Sequence, residues 1–103
     1  MSHLKIVTYV PLTHADKVRE AIGRAGGGKL GKYSFCSFSS RGVGRFSPGA
    51  GAKPFIGKVG KLEEVEEERI EFVCDKSLSG KVIKAIKRVH PYEEPAIDVW
   101  SVE

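Results

Sequence analysis

The sequence predicts an α+β domain of order β-α-β-β-α-β, with both helices on one face of an antiparallel sheet. Three observations carry this. Runs rich in β-branched and aromatic residues bracket two stretches with helical spacing. The two helical stretches repeat each other: Lys17-Val18-Arg19-Glu20-Ala21-Ile22 aligns with Lys81-Val82-Ile83-Lys84-Ala85-Ile86, and a strand precedes each. The length of 103 residues suits one domain, 1–103, that buries roughly two-thirds of its unfolded surface. Two such halves form the ferredoxin-like split β-α-β fold, in which the first strand starts and the last strand ends at the same edge.

Leu4 to Val10 reads as the first strand, ended by Pro11. Thr13 and Asp16 resemble a capping box with the shorter acid. Ala15, Val18, Ile22 and Ala25 then share a helical face, and Gly26-Gly27-Gly28 ends the helix. Tyr33 to Phe38 reads as the second strand. Residues 42–60 hold six glycines and two prolines, yet Val43, Phe46, Phe55, Ile56 and Val59 are too apolar for a disordered linker. We expect there an extra glycine-rich insertion between strands 2 and 3, ordered as a meander of short strands. Val65 to Asp75 is the third strand, with Ile70, Phe72 and Cys74 alternating with Arg69, Glu71 and Val73. Ser77 or Ser79 is expected to cap the second helix, whose stripe is Leu78, Val82, Ala85, Ile86 and Val89. Ala96 to Val102 closes the sheet.

The charge is segregated. Seven Lys or Arg and no acid lie between Lys29 and Lys61, and Glu63, Glu64, Glu66, Glu67, Glu68 and Glu71 follow. Each run suits a solvated face. Their separation also suits self-association, the basic region of one copy meeting the acidic region of another. The acidic block argues against nucleic acid, because it would repel phosphates. No apolar run approaches the roughly 20 residues of a membrane span, and the N-terminal run lacks a signal-peptide layout, so the expected location is the cytoplasm. Cys36 and Cys74 make no disulfide framework and read as small buried strand residues.

Chemistry concentrates in His90-Pro91-Tyr92-Glu93-Glu94-Pro95: an imidazole, a phenol and two carboxylates between two prolines. Pro91 ends the helix before it and pushes His90 to extended geometry. His90 suits a metal ligand or proton carrier, and equally a helix C-cap favoured by the dipole. Glu93 and Glu94 point to opposite sides of an extended chain unless it turns sharply. One of them is expected to pair with Arg41, Arg45 or Arg69. Tyr92 is expected to pack over the helix end with its hydroxyl on a partner. The glycine-rich stretch invites an anion-nest reading, but it has no phosphate-loop pattern and no following helix, so tight turns are the plainer role. No His/Asp order activates Ser37, Ser39 or Ser40. A Cys36–His90 pair requires tertiary proximity.

Three pieces carry a family resemblance: Gly31-Lys32-Tyr33-Ser34-Phe35-Cys36-Ser37-Phe38; the run from Gly42-Val43-Gly44-Arg45-Phe46 through Pro48, Pro54 and Ile56-Gly57 to Gly60-Lys61-Leu62-Glu63; and His90 to Asp98. Together they resemble the insert domain of the Nif-three-like family, homologues of a dinuclear-metal protein named GTP cyclohydrolase I type 2. The family's metal cluster belongs to another domain, and His3, His14 and His90 form no two-metal pattern. The hydrolase activity is therefore not carried over. The resemblance implies a fold similar to CutA and nitrogen-regulatory PII proteins, which assemble as trimers, and a module that can be inserted or free.

The leading expectation is a non-enzymatic, homo-oligomeric binding or regulatory module. It is most simply a trimer, with no nucleic-acid or membrane partner and no required cofactor. Its candidate ligand site is an intersubunit cleft of His90, Tyr92, Glu93, Glu94, Arg69, Arg41, Ser37, Gly42 and Gly44. The first alternative is a CutA-like divalent-cation binder using His90 with Glu93 or Glu94. The second is a cryptic enzyme acting on a phosphorylated small molecule.

Overall fold

The computed structural model describes residues 3–102. Four antiparallel strands lie in the order β2-β3-β1-β4, namely β2 (Phe38–Phe46), β3 (Glu63–Asp75), β1 (His3–Pro11) and β4 (Ile97–Val102). The helices α1 (Ala15–Arg24) and α2 (Ser79–Val89) pack together on one face. The expected fold class holds, and His3 lies opposite Val102 on neighbouring strands.

Strand alternation builds the core. Leu4 and Ile6 of β1 stand opposite Cys74 and Phe72 of β3. These side chains close against Val18 and Ile22 of α1 and Val82 and Ile86 of α2. The opposite parity carries Tyr9 of β1, Glu67, Arg69 and Glu71 of β3, and Ser40, Gly42, Gly44 and Phe46 of β2 onto the open face.

Both helices enter through a 3₁₀ turn, Leu12–His14 and Lys76–Leu78, and this displaces the expected caps. Thr13 lies inside its turn and meets His14 Nδ1 at 2.8 Å, while Asp16 turns to Arg19. In the second turn Asp75 does the capping. It accepts from the Ser77 amide at 2.9 Å and the Ser77 hydroxyl at 2.8 Å, and Ser79 donates to the Lys76 carbonyl. The exit from α1 follows expectation. Gly26 at φ 101° sends its amide to Gly23, and Gly27 sends its amide to Ile22, the paired bonds of a Schellman ending.

The second strand lies later than expected. Tyr33 to Ser37 forms no strand; only Phe38 of the expected run belongs to β2. Leu30 and Tyr33 exchange both backbone bonds across a tight turn. Phe35 then adopts a φ of 60°, which breaks extended geometry, and its ring covers Gly23 of α1 so closely that a Cβ there would collide with it. The glycine-rich insertion is corrected by the same shift. Residues 42–46 belong to β2 itself, and the connection is 47–62, without strands. The Gly60 amide closes the base of this loop on the Pro48 carbonyl at 2.8 Å, and the Phe55 ring sets its edge against His14 at 5.5 Å.

Pairing β2 with β3 also answers the charge segregation within the chain. Arg45 stands opposite Glu64 and bonds it at 2.8 Å. Beneath the sheet, Arg19 of α1 ion-pairs with Glu68. The end of β3 overhangs β1: the β1 pairing stops at Glu67, and Glu63 to Glu66 pair only with β2. The molecule measures 46 × 23 × 22 Å as a result of this arm.

Candidate functional site

His90 follows α2 with extended backbone (φ −72°, ψ 130°), as a residue before proline must. The β1–β4 pairing ends at Thr8, and His90 takes the next carbonyl: its Nε2 donates to Tyr9 O at 2.7 Å. Its Nδ1 accepts the Tyr92 amide at 3.2 Å, so the ring is neutral with its proton on Nε2. Burial holds its pKa below the ordinary histidine value, with the Tyr9 carbonyl and Glu67 pulling the other way and His14 adding to the depression. The ring is 6% exposed and both nitrogens are engaged. Among the described residues no group of three or more His, Cys, Asp or Glu is placed to hold a metal ion. The set His90, Glu93 and Glu94 therefore does not fit a cation as it stands. Nor does His90 approach Cys36. Cys36 bonds Gly28, which bonds Val73 opposite Lys5, whereas His90 sits at Tyr9, further along β1.

The chain bends at Tyr92 to Glu94 instead of running extended. Both glutamates consequently reach one groove. Glu93 Oε1 accepts the Lys53 amide at 2.9 Å, tying this connector to the 47–62 loop. The expected pairing with an arginine is not made, because nearer acids intervene: Arg45 has Glu64 opposite, and Arg69 reaches Glu71 at 3.1 Å on its own strand and face. Tyr92 does find a partner. Its phenol donates to Glu67 Oε2 at 2.6 Å, and its ring lies 6.0 Å from that of Phe46. Burial first, then the Glu67 carboxylate, push the phenol pKa above the ordinary tyrosine value.

These contacts enclose an open groove of about 760 Å³ on the free sheet face. The connector supplies Tyr92, Glu93 and Glu94, and the strands supply Arg41, Gly42, Gly44 and Arg69. Two expected members stand outside its lining. His90 is buried behind Tyr92, and Ser37 precedes β2 in the segment that follows Phe35. Four important members were not read from sequence: Tyr9, Phe46, Phe55 and Glu67. Glu67 looked like one of a run of solvated acids but is 8% exposed. Its carboxylate lies over Gly44, where any Cβ would collide with Oε1. A signal for it existed in the Gly42-Val43-Gly44 spacing, which leaves bare backbone on one face of β2 for a neighbouring strand's side chain.

No family model matches the chain. A GTP cyclohydrolase 1 type 2 homolog from Halalkalibacterium halodurans is 53% identical over 98 residues, covering 95% of this chain and 26% of that protein. The Bacillus subtilis protein of the same name is 52% identical over 99 residues, 96% of this chain and 26% of its own length. The crystal structure of a Bacillus cereus protein related to NIF3 superposes on 99% of this chain with a TM-score of 0.86 and 49% identity. The chain is homologous to one segment of the NIF3-family proteins. It spans about a quarter of the length of these relatives. The same fold occurs in CutA1 from Pyrococcus horikoshii, with a TM-score of 0.70 at 20% identity over 97% of this chain and 83% of that one. It occurs again in the PII-like protein CutA from Nostoc, with a TM-score of 0.70 at 16% identity over 100% and 82% of the two chains. No helix among the described residues is long and apolar enough to cross a membrane.

Proposed function

We propose that this chain is a non-enzymatic, self-associating module that binds a small molecule in the groove between the β2–β3 arm, the 47–62 loop and the Tyr92–Glu94 connector. One observation carries the reading: segments far apart in sequence converge on one concave site with a few polar groups set in an apolar lining. Its volume lies within the roughly 300–1,000 Å³ usual for small-molecule sites. The connector is held there by four bonds, from His90 to Tyr9, Tyr92 to His90, Tyr92 to Glu67 and Lys53 to Glu93. Such bracing suits a site that positions a ligand.

Self-association is supported by apolar side chains on the open face outside the groove. Phe38 is 66% exposed and Trp100 44% exposed, and the register places both on that face. A trimer is the assembly we propose. Native mass spectrometry of gently purified protein tests assembly and ligand together. The expected species is a trimer carrying an additional organic mass. A bare monomer at tens of micromolar would overturn the reading.

A further inference from the structure

We infer that the groove accepts a flat aromatic molecule carrying a ring N–H and an anionic tail, with the N–H on Glu67 Oε1 and the tail at Arg69. This inference rests on the groove being the ligand site.

The Glu67 carboxylate defines one end. Oε2 takes the Tyr92 phenol, and no donor among the described residues reaches Oε1. No side-chain nitrogen or oxygen among the described residues is both fully buried and without a partner. Oε1 must therefore open onto the groove that Glu67 lines. Glu67 is 8% exposed as a residue, its carboxylate has one neutral donor and is short of hydrogen bonds, and buried charge is costly unless it is bonded. An ionised carboxylate only accepts, so the ligand must bring the donor.

The opposite sign lies on the strand wall. Arg41 makes no ion pair among the described residues, and Arg69 commits one nitrogen to Glu71. Arg69 stands two residues from Glu67 on the same strand and face, whereas Arg41 pairs with Glu68 and so belongs to the helix side. A guanidinium offers five donors in a planar fork suited to carboxylate or phosphate. Arg45 is already spent on Glu64, and Glu93 on the Lys53 amide. The lining holds three arginines, Arg41, Arg45 and Arg69, against three glutamates, Glu67, Glu93 and Glu94. Such a balance disfavours a simple cation or a simple polyanion and favours a ligand with both a donor edge and an anionic end. The rings of Tyr9, Phe46, Phe55 and Tyr92 also line the groove. Aromatic walls favour a flat ring that stacks or meets them edge-on.

Three probes separate the parts. Indole-3-acetate has the ring, the N–H and the anion; 1-naphthaleneacetate lacks the N–H; 3-methylindole lacks the anion. Each is titrated into the ¹⁵N-labelled chain, and amide shifts are followed by two-dimensional NMR. Indole-3-acetate should shift groove amides, and each truncated probe should bind about tenfold more weakly. Indoxyl phosphate, run beside indole-3-acetate, tells a phosphate tail from a carboxylate one. Glu67→Leu, which removes the acceptor, should abolish the preference for the N–H probe, and Arg69→Gln the preference for the anionic ones. The comparison on the unaltered chain stands even if either variant folds poorly. Equal binding of the three probes, or shifts confined to the helix face, would sink the inference. If no probe touches the groove while native mass spectrometry still finds a bound mass, the ligand class is wrong and the site reading survives. If both experiments are blank, both fail.

Discussion

The Tyr92 phenol donates to Glu67 Oε2 at 2.6 Å, joining the connector after α2 to a strand 25 residues away in sequence. Among the described residues this is the one hydrogen bond between the proline-bracketed stretch and the acidic block. It also sets the orientation of the groove, since Glu67 lies over Gly44 and the Tyr92 ring faces Phe46.

Tyr92→Phe removes the donor and leaves a buried carboxylate without its partner. The cost is expected to be about 1–3 kcal/mol of unfolding free energy, read from urea denaturation. For a domain of this size each kcal/mol is roughly 4–8 °C of melting temperature, so calorimetry should see it as well. An unchanged midpoint would mean that Glu67 finds another donor.

Gly44→Ala places a methyl group where the Glu67 carboxylate lies. The carboxylate must swing away and give up the Tyr92 bond. The substitution should therefore cost about 1–3 kcal/mol alone and clearly less in the Tyr92→Phe background, where that bond is already absent. Additive costs in a double-mutant cycle would show that the two sites are uncoupled.

His90 gives the protein a pH dependence of defined sign. Its folded pKa lies below the unfolded value of about 6.5, because a buried neutral ring is preferred and Nδ1 must accept the Tyr92 amide. The stabilisation is complete above pH 6.5 and is lost as pH falls through the folded pKa. The steepest slope for one proton is about 1.4 kcal/mol per pH unit. Urea unfolding at pH 8, 6.5 and 5 should show it, and His90→Gln should flatten the curve. A slope that survives in the variant would show that the effect does not come from His90.

Gly26→Ala tests the end of α1. At φ 101° a side chain is strained, and its Cβ would also press on Leu78 Cδ1 at 3.0 Å. A loss of about 1–2 kcal/mol is expected, with the helix preserved by circular dichroism. Neutral behaviour would show that the turn can rearrange.

Most elements were legible because one face of each is buried. The spacing of Val18 and Ile22, of Val82 and Ile86, and of Ile70, Phe72 and Cys74 reports a core directly. β2 was displaced because its true residues are poor strand formers. Ser-Ser-Arg-Gly-Val-Gly-Arg becomes a strand by pairing with β3, while the aromatic Tyr33 to Phe38 run is spent on a turn and on covering Gly23. The connector stood out through its prolines. Glu67 stayed hidden, because its burial depends on a glycine across the ladder and a phenol from the far end of the chain. The Gly42-Val43-Gly44 spacing marks bare backbone on β2 without saying which side chain covers it, and the phenol has no local signature.

The overhang of β3 sets how the groove behaves in time. Glu63 to Glu66 and their β2 partners form a two-stranded ribbon about 13 Å long that no third strand among the described residues supports. Such ribbons are marginal alone and open at lower free energy than a braced sheet. Hydrogen exchange should be fast along the ribbon and slow at Ile6, Ile70 and Phe72. One wall of the groove is thus expected to open while the rest of the domain stays folded, and the binding proposed for the groove then requires no unfolding of the core.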